Sequence, residues 1–196
     1  SGNTANIILG NKIAVAGPIS LFGGNITIND SLSSSNGSTI SIYSNTLNIA
    51  STKTIASSGQ LVICPQTLSN SIGIAGAAGT LNLPASFFNS NFADGFSNIQ
   101  IGSSNCTGNI SLNGFALRDN LTLLTSGSLT LGGKVEMGAN NVILGNSFST
   151  VSASSSGYFQ TNGLGKTISV LGNNSNLTMP IGNSSYNPLI ITNKTG

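Results

Sequence analysis

Apolar and polar residues alternate along this chain in short bursts, and the bursts return at a fixed interval. Ile19-Ser20-Leu21 recurs as Ile40-Ser41-Ile42 and again as Leu61-Val62-Ile63, 21 positions apart each time. Ile26-Thr27-Ile28 recurs as Leu47-Asn48-Ile49, and triplets within one repeat sit seven residues apart. Strict alternation marks a strand with one buried face. A period near twenty residues marks units stacked on copies of themselves. The two signals together predict a chain wound into a solenoid of short parallel strands. Gly23-Gly24-Asn25, Asn36-Gly37 and Ser57-Ser58-Gly59 fall between triplets, where turn residues belong. Phe22, Tyr43 and Cys64 share one column of the repeat; Ser20, Ser41 and Val62 share an outward column, and Thr27, Asn48 and Ser69 another.

The pattern breaks over residues 65–96. Gly73 to Gly79 is small and flexible, and Pro84 to Gly95 carries Phe87, Phe88 and Phe92, with Phe96 just beyond. Phe88, Phe92 and Phe96 are four apart, which predicts a short helix between Pro84 and Gly95 leaning a Phe face on the rod. These rings are expected to be simple packing; a ligand groove floored by them is the alternative. Alternation resumes at Ile99/Ile101 and continues through Ile110/Leu112, Leu121/Leu123, Leu129/Leu131, Val135/Met137 and Val142/Leu144. The tail adds Tyr158/Phe159, Ile168/Val170, Leu177/Met179 and Leu189/Ile191. It reads as the last turns of the rod or as a small terminal cap.

At 196 residues the chain fits one domain of about nine coils, a rod of roughly 45 Å at ~4.8 Å per coil. A stacked solenoid cannot stop bare at its ends. Apart from Lys194, nothing at residues 1–6 or 192–196 is charged enough to cap it. The chain begins at Ser1 without a Met or a signal-peptide core, so it is expected to be a mature or excised piece of something longer.

Charged residues make up only 5% of the chain: Lys12, Lys53, Arg118, Lys134, Lys166, Lys194, Asp30, Asp94, Asp119 and Glu136. No apolar run approaches the ~20 residues of a spanning helix. The net charge of +2 is dispersed, so neither nucleic acid nor a lipid surface is an expected partner. Asn-x-Ser/Thr occurs at Asn25, Asn36, Asn105, Asn109, Asn120, Asn176, Asn183 and Asn193, which a chain this rich in Asn, Ser and Thr produces by chance.

Cys64 and Cys106 are a candidate disulfide in a chain of secreted character. Their 42-residue separation is two whole coils if the period holds. That would put the Cα atoms ~9–10 Å apart, beyond the ~7 Å reach of a bridge, and buried free thiols are the competing expectation. A catalytic thiol lacks a His to activate it, because the chain contains none.

Chemistry has few footholds. Gly163-Leu164-Gly165-Lys166-Thr167 ends like a phosphate-binding loop, but Gln160 stands where the motif needs glycine, and a strand rather than a helix follows. Gly73-x-x-Gly76-x-x-Gly79 has no βαβ unit around it and is not a dinucleotide fingerprint. No His and two distant Cys leave no metal set. Arg118, Asp119, Lys134 and Glu136 form the one group from which an active site could be assembled, as in β-helix enzymes that process acidic polysaccharides. Exposed charges pairing across neighbouring coils are the plainer expectation. Ice binding by outward Thr columns is a third class, and the outward columns here are mixed.

Several stretches resemble the repeat region of the filamentous haemagglutinin family of large secreted adhesins. They are Gly23-Gly24-Asn25-Ile26-Thr27-Ile28; Ile72 to Leu83; and Ala93-Asp94-Gly95-Phe96-Ser97-Asn98-Ile99-Gln100-Ile101-Gly102, followed by Gly108 to Leu112 and Asn120 to Leu123. The resemblance covers roughly residues 18–145. The tail, from Gly157-Tyr158-Phe159-Gln160-Thr161-Asn162-Gly163 to Tyr186-Asn187-Pro188-Leu189, resembles a module of surface proteins of gliding and marine Bacteroidetes. The expected fold is therefore all-β, a right-handed parallel β-helix with coils of about 21 residues. Residues 1–196 would be a single segment, with an irregular insertion at about 65–96 and a terminal part, 157–196, that stands apart or caps the rod. The resemblance implies an adhesive or structural role at the bacterial cell surface, without catalysis or cofactor. Its implied partners are a glycan or cell-surface ligand and the flanking segments of a longer chain. It transfers no site residues, because the shared motifs are scaffold.

Overall fold

The structure, a computed structural model, describes residues 5–145, 148–153, 155–161, 168–170, 176–179, 181–183 and 189–192, with backbone alone for 168–170, 176–179 and 189–192. It is a parallel β-solenoid of about seven turns whose coils contribute strands to three faces. The first face is one unbroken seven-stranded ladder: β3 (Ile19–Phe22), β6 (Ile40–Tyr43), β9 (Gln60–Cys64), β12 (Asn98–Gly102), β15 (Leu121–Leu124), β18 (Val142–Leu144) and β21 (Ile168–Val170). Ile19, Ile40 and Leu61 lie in register, followed by Ile99, Leu121 and Val142. The second face is split. A lower sheet runs β1 (Asn6–Leu9), β4 (Asn25–Ile28), β7 (Thr46–Ile49), and an upper one runs β11 (Leu81–Leu83), β10 (Ile72–Ile74), β13 (Ile110–Leu112), β16 (Leu129–Leu131), β19 (Val151–Ala153). The third face holds β2 (Ile13–Val15), β5 (Leu32–Ser34) and β8 (Ile55–Ala56). Above them lie β14 (Phe115–Ala116), β17 (Val135–Glu136), β20 (Phe159–Gln160) and β23 (Ile181–Gly182).

Alternation produces this shape because successive side chains of a strand point to opposite sides. The inward members, Ile26, Ile28, Ile40, Ile42, Leu61 and Ile63 among them, are buried in one continuous core. In the first coil the inward side chains Ile7, Leu9, Ile13, Ile19 and Leu21 are only partly buried, because they have coil neighbours on one side alone. Buried hydroxyls hold the corners. Ser44 Oγ donates to the Thr46 carbonyl at 2.6 Å, and Thr125 Oγ1 donates to the Gly108 carbonyl at 2.6 Å while accepting the Gly127 N–H.

Seven levels replace the nine expected from length. The ladder partner of Leu61 is Ile99, 38 residues on rather than 21, so the insertion adds residues without adding a level to the first face. The tail departs as well: β22 (Asn176–Met179) and β24 (Leu189–Thr192) pair antiparallel, although β20, β21 and β23 still extend the parallel ladders. Residues 162–167, which contain the phosphate-loop-like motif, lie outside the described residues, as do residues 1–4 and 193–196 at the two ends. Among the described residues no helix is long and apolar enough to cross a membrane.

The insertion folds in two parts. Strands β10 and β11 pair parallel, Ile72 with Leu81, over a connection of six residues, where parallel neighbours ordinarily need a dozen or more. Ala75 and Gly76, both with positive φ (56° and 83°), turn the chain at once. Phe87–Asn91 then forms one wide helical turn, closed by the Phe92 N–H on the Phe87 carbonyl at 2.7 Å. The helix expected from the Phe88, Phe92, Phe96 spacing ends before Phe92, which is extended and bridges Ile55 on the third face. Phe87, Phe88, Phe92 and Phe96 are all buried. The third outward position above Thr27 and Asn48 is consequently not Ser69, which lies in no strand, because β11 is the element that packs next to β7.

Candidate functional site

The four charges from which an active site could be built divide into two pairs with different surroundings. Lys134 and Glu136, two residues apart and bracketing Val135, form an ion pair at 2.7 Å, and both side chains are well exposed. Arg118 and Asp119 on the coil below tie down the insertion. Arg118 Nη1 donates to the Asn89 and Phe92 carbonyls at 3.2 and 3.4 Å, and Asp119 Oδ1 accepts the Gly95 N–H at 2.9 Å. The expected pairing of exposed charges across coils is thus corrected here. Asp119 is buried, and a cross-coil ion pair lies elsewhere, between Lys53 and Asp30 at 3.1 Å.

Asp119 Oδ2 is buried and, among the described residues, accepts no hydrogen bond. Asp119 borders a void of about 10 Å³ that Phe88, Phe92 and Phe115 also line. Burial raises its carboxyl above the ordinary carboxylate value; the Gly95 N–H and Arg118 oppose the rise and Asp94 adds to it. The folded state therefore holds this proton more tightly than the unfolded chain. The stability tied to it is present below the ordinary value of ~4 and is lost as the pH climbs through the raised one. Asp119→Asn, which keeps an oxygen for Gly95 and removes the charge, is expected to raise the melting temperature at pH 7 and to give no gain at pH 3. Thermal melts at both values check this, and a lower melting temperature at pH 7 would refute it.

The other candidate is the split in the second face. β7 ends the lower sheet and β11 begins the upper one, so the ladder is interrupted between them. A cleft of about 430 Å³ opens there. Its polar wall is Thr46, Asn48, Ser51, Thr80, Asn82 and Ser86, all exposed, and its apolar wall is Leu47, Ile49, Pro84 and Phe87. Asn91 closes one end, its buried amide donating to the Ala50 and Lys53 carbonyls at 3.0 and 2.8 Å. Among the described residues no charged side chain lines it. Its volume is within the range of small-molecule sites. Of the Phe cluster only Phe87 reaches this cleft; Phe88 packs on Phe115 at 4.6 Å and Phe92 on Phe88 at 5.3 Å. A groove floored by the rings is therefore replaced by a cleft walled mainly by amides and hydroxyls. Sequence reasoning missed it because a broken ladder leaves no local mark.

The outward column of the first face reads Ser20, Ser41, Val62, Gln100, Thr122 and Ile143. It mixes hydroxyl, amide and aliphatic side chains. The column Phe22, Tyr43, Cys64 is in register, with the Phe22 and Tyr43 rings 5.8 Å apart. Cys64 Sγ lies 3.1 Å from Cys106 Sγ, and both residues are buried. The expectation of two coils between them fails because β9 pairs directly with β12, so the cysteines are neighbours on adjacent levels. Among the described residues no three His, Cys, Asp or Glu side chains come together.

No protein-family profile, no curated protein and no solved structure matches the chain.

Proposed function

We propose that this chain is a rigid structural and adhesive segment of a large secreted bacterial surface protein, and that it holds a glycan in the cleft between β7 and β11. The observation that carries the reading is the chemistry of that cleft. Uncharged amides and hydroxyls (Asn48, Asn82, Thr46, Thr80) face an apolar wall that includes Phe87. Sugars present the same pairing, with hydroxyls around the ring edge and an apolar C–H face. The continuous seven-stranded ladder beneath supports the structural half, since each coil is braced by hydrogen bonds from its neighbours. The resemblance to filamentous haemagglutinin repeats agrees with the same placement at the cell surface.

Binding to a panel of immobilised neutral and acidic polysaccharides tests it. The chain is expected to bind at least one of them. Asn48→Ala combined with Asn82→Ala should weaken binding at least ~10-fold, the equivalent of one or two lost hydrogen bonds. Asp119→Asn and Glu136→Gln should bind as the unaltered chain does. Equal affinity in the double variant would discard the cleft. Chain cleavage of a polysaccharide that either acidic substitution abolishes would favour a carbohydrate-processing enzyme, and thermal hysteresis would favour ice binding.

A further inference from the structure

We propose that Cys64 and Cys106 are joined in a disulfide bond that staples the third level of the first face to the fourth and closes the whole insertion into a covalent loop. Four observations converge on this pair. The sulfurs are 3.1 Å apart, already in contact, so bond formation needs only a small approach. Both backbones are held in place: the Ser44 N–H donates to the Cys64 carbonyl at 2.9 Å, and the Ser126 N–H donates to the Cys106 carbonyl at 2.8 Å. Gly102, with φ +82°, bends the chain after β12, and the turn closed by the Cys106 N–H on the Ser103 carbonyl brings Cys106 back over the ladder. A Cβ on Gly102 would overlap the Leu124 carbonyl, so the bend that delivers Cys106 depends on glycine. Lastly, the loop between the two cysteines contains β10, β11 and the Phe turn, and neither β10 nor β11 pairs with a strand of the coils below. It is the part a cross-link would constrain most.

The chemistry is a thiol–disulfide exchange with an oxidised donor, either a small-molecule disulfide or the disulfide of an oxidoreductase. In the closed coil the hydrogen bond from the Cys64 thiol draws the Cys106 thiol down to about 6, and as the coil closes and that contact forms Cys106 becomes the readier of the two to ionise and attack. The same contact, with burial, pushes Cys64 up and keeps it protonated. Cys106 sulfur bonds to one sulfur of the donor and expels the other as a thiolate. Cys64 gives its proton to that thiolate and attacks Cys106 sulfur, expelling the second donor thiol. Two protein thiols are oxidised by two electrons and the donor disulfide is reduced to two thiols. Both cysteines are closed off from solvent in the folded coil, so the exchange belongs to the closing of that coil.

The test refolds the reduced chain with oxidised glutathione. Expected are a product lighter by two hydrogens, no free thiol after unfolding, and a Cys64–Cys106 cross-linked peptide. The melting temperature should rise by roughly 10 °C and fall back on reduction, as closing a loop of this length implies. Cys64→Ala/Cys106→Ala should show no response to either reagent. If that variant does not fold, the oxidised and reduced forms of the unaltered chain still give the comparison. Two titratable thiols after refolding, glutathione adducts alone, or cross-linked dimers would overturn the proposal, as would an intramolecular bridge that leaves the melting temperature unchanged.

Discussion

Gly79→Ala is expected to cost about 3 kcal/mol of folding stability, although it adds a single methyl group. The reason lies in the six-residue connection between β10 and β11. To return a parallel strand so quickly, the chain lies flat against β10. A Cβ on Gly79 would overlap the Gly73 nitrogen and approach the Gly73 Cα at 2.8 Å, and a Cβ on Gly73 would overlap the Ala77 carbonyl oxygen. Every one of these neighbours is backbone, and β10 is bonded on both sides, to β11 and to β13. It cannot move aside without breaking a ladder. Gly17→Ala, where nothing lies within 4 Å, is the control and should change stability by at most ~0.5 kcal/mol. Denaturant midpoints measured side by side decide it. Equal midpoints for both variants would mean that the connection does not nest on β10.

Phe92→Ala should cost about 3–5 kcal/mol, the usual penalty for emptying an aromatic core site. Phe92 is 1% exposed and touches the rings of Phe87 at 5.4 Å and Phe88 at 5.3 Å. Its backbone bridges Ile55, and its carbonyl accepts from Arg118. The residue therefore joins the insertion to the third face through both side chain and backbone. Only the side-chain part is lost in Phe92→Ala, so the insertion should loosen before the rod melts, with protease cleavage appearing first between residues 65 and 96. Phe92→Leu keeps most of the apolar volume and should cost less than about 1.5 kcal/mol. Equal losses for alanine and leucine would show that ring packing is not what holds the segment.

The two glycines and the phenylalanine show how unevenly this molecule can be read from its letters. The small-residue run from Gly73 to Gly79 stood out as irregular, and the Phe spacing stood out as helical. The first says nothing of its cause, the tight parallel return of β11 onto β10. The second misled beyond Asn91, because Phe92 gains more by extending along Ile55 than by continuing a helical turn. Among the candidate site residues, Arg118, Asp119, Lys134 and Glu136 were found by charge alone. Which of them are buried, and which tie down the insertion, depended on where the insertion lands. Asn48 was visible as an outward residue, but Asn82 as its neighbour across a cleft was not.

Alternation and its 21-residue return were sufficient to determine the all-β class, the parallel stacking, the vertical register of Ile19, Ile40 and Leu61, and which face of each strand is buried. These follow from local rules: a strand exposes opposite sides in turn, and a repeat packs best on its own copy. Tertiary structure alone decided that Leu61 is followed by Ile99, that β11 lies over β7 without pairing to it, and that two cysteines 42 residues apart meet at 3.1 Å. Each of those depends on which distant segment satisfies a strand edge, and a main-chain edge offers the same donors and acceptors whatever side chains it carries.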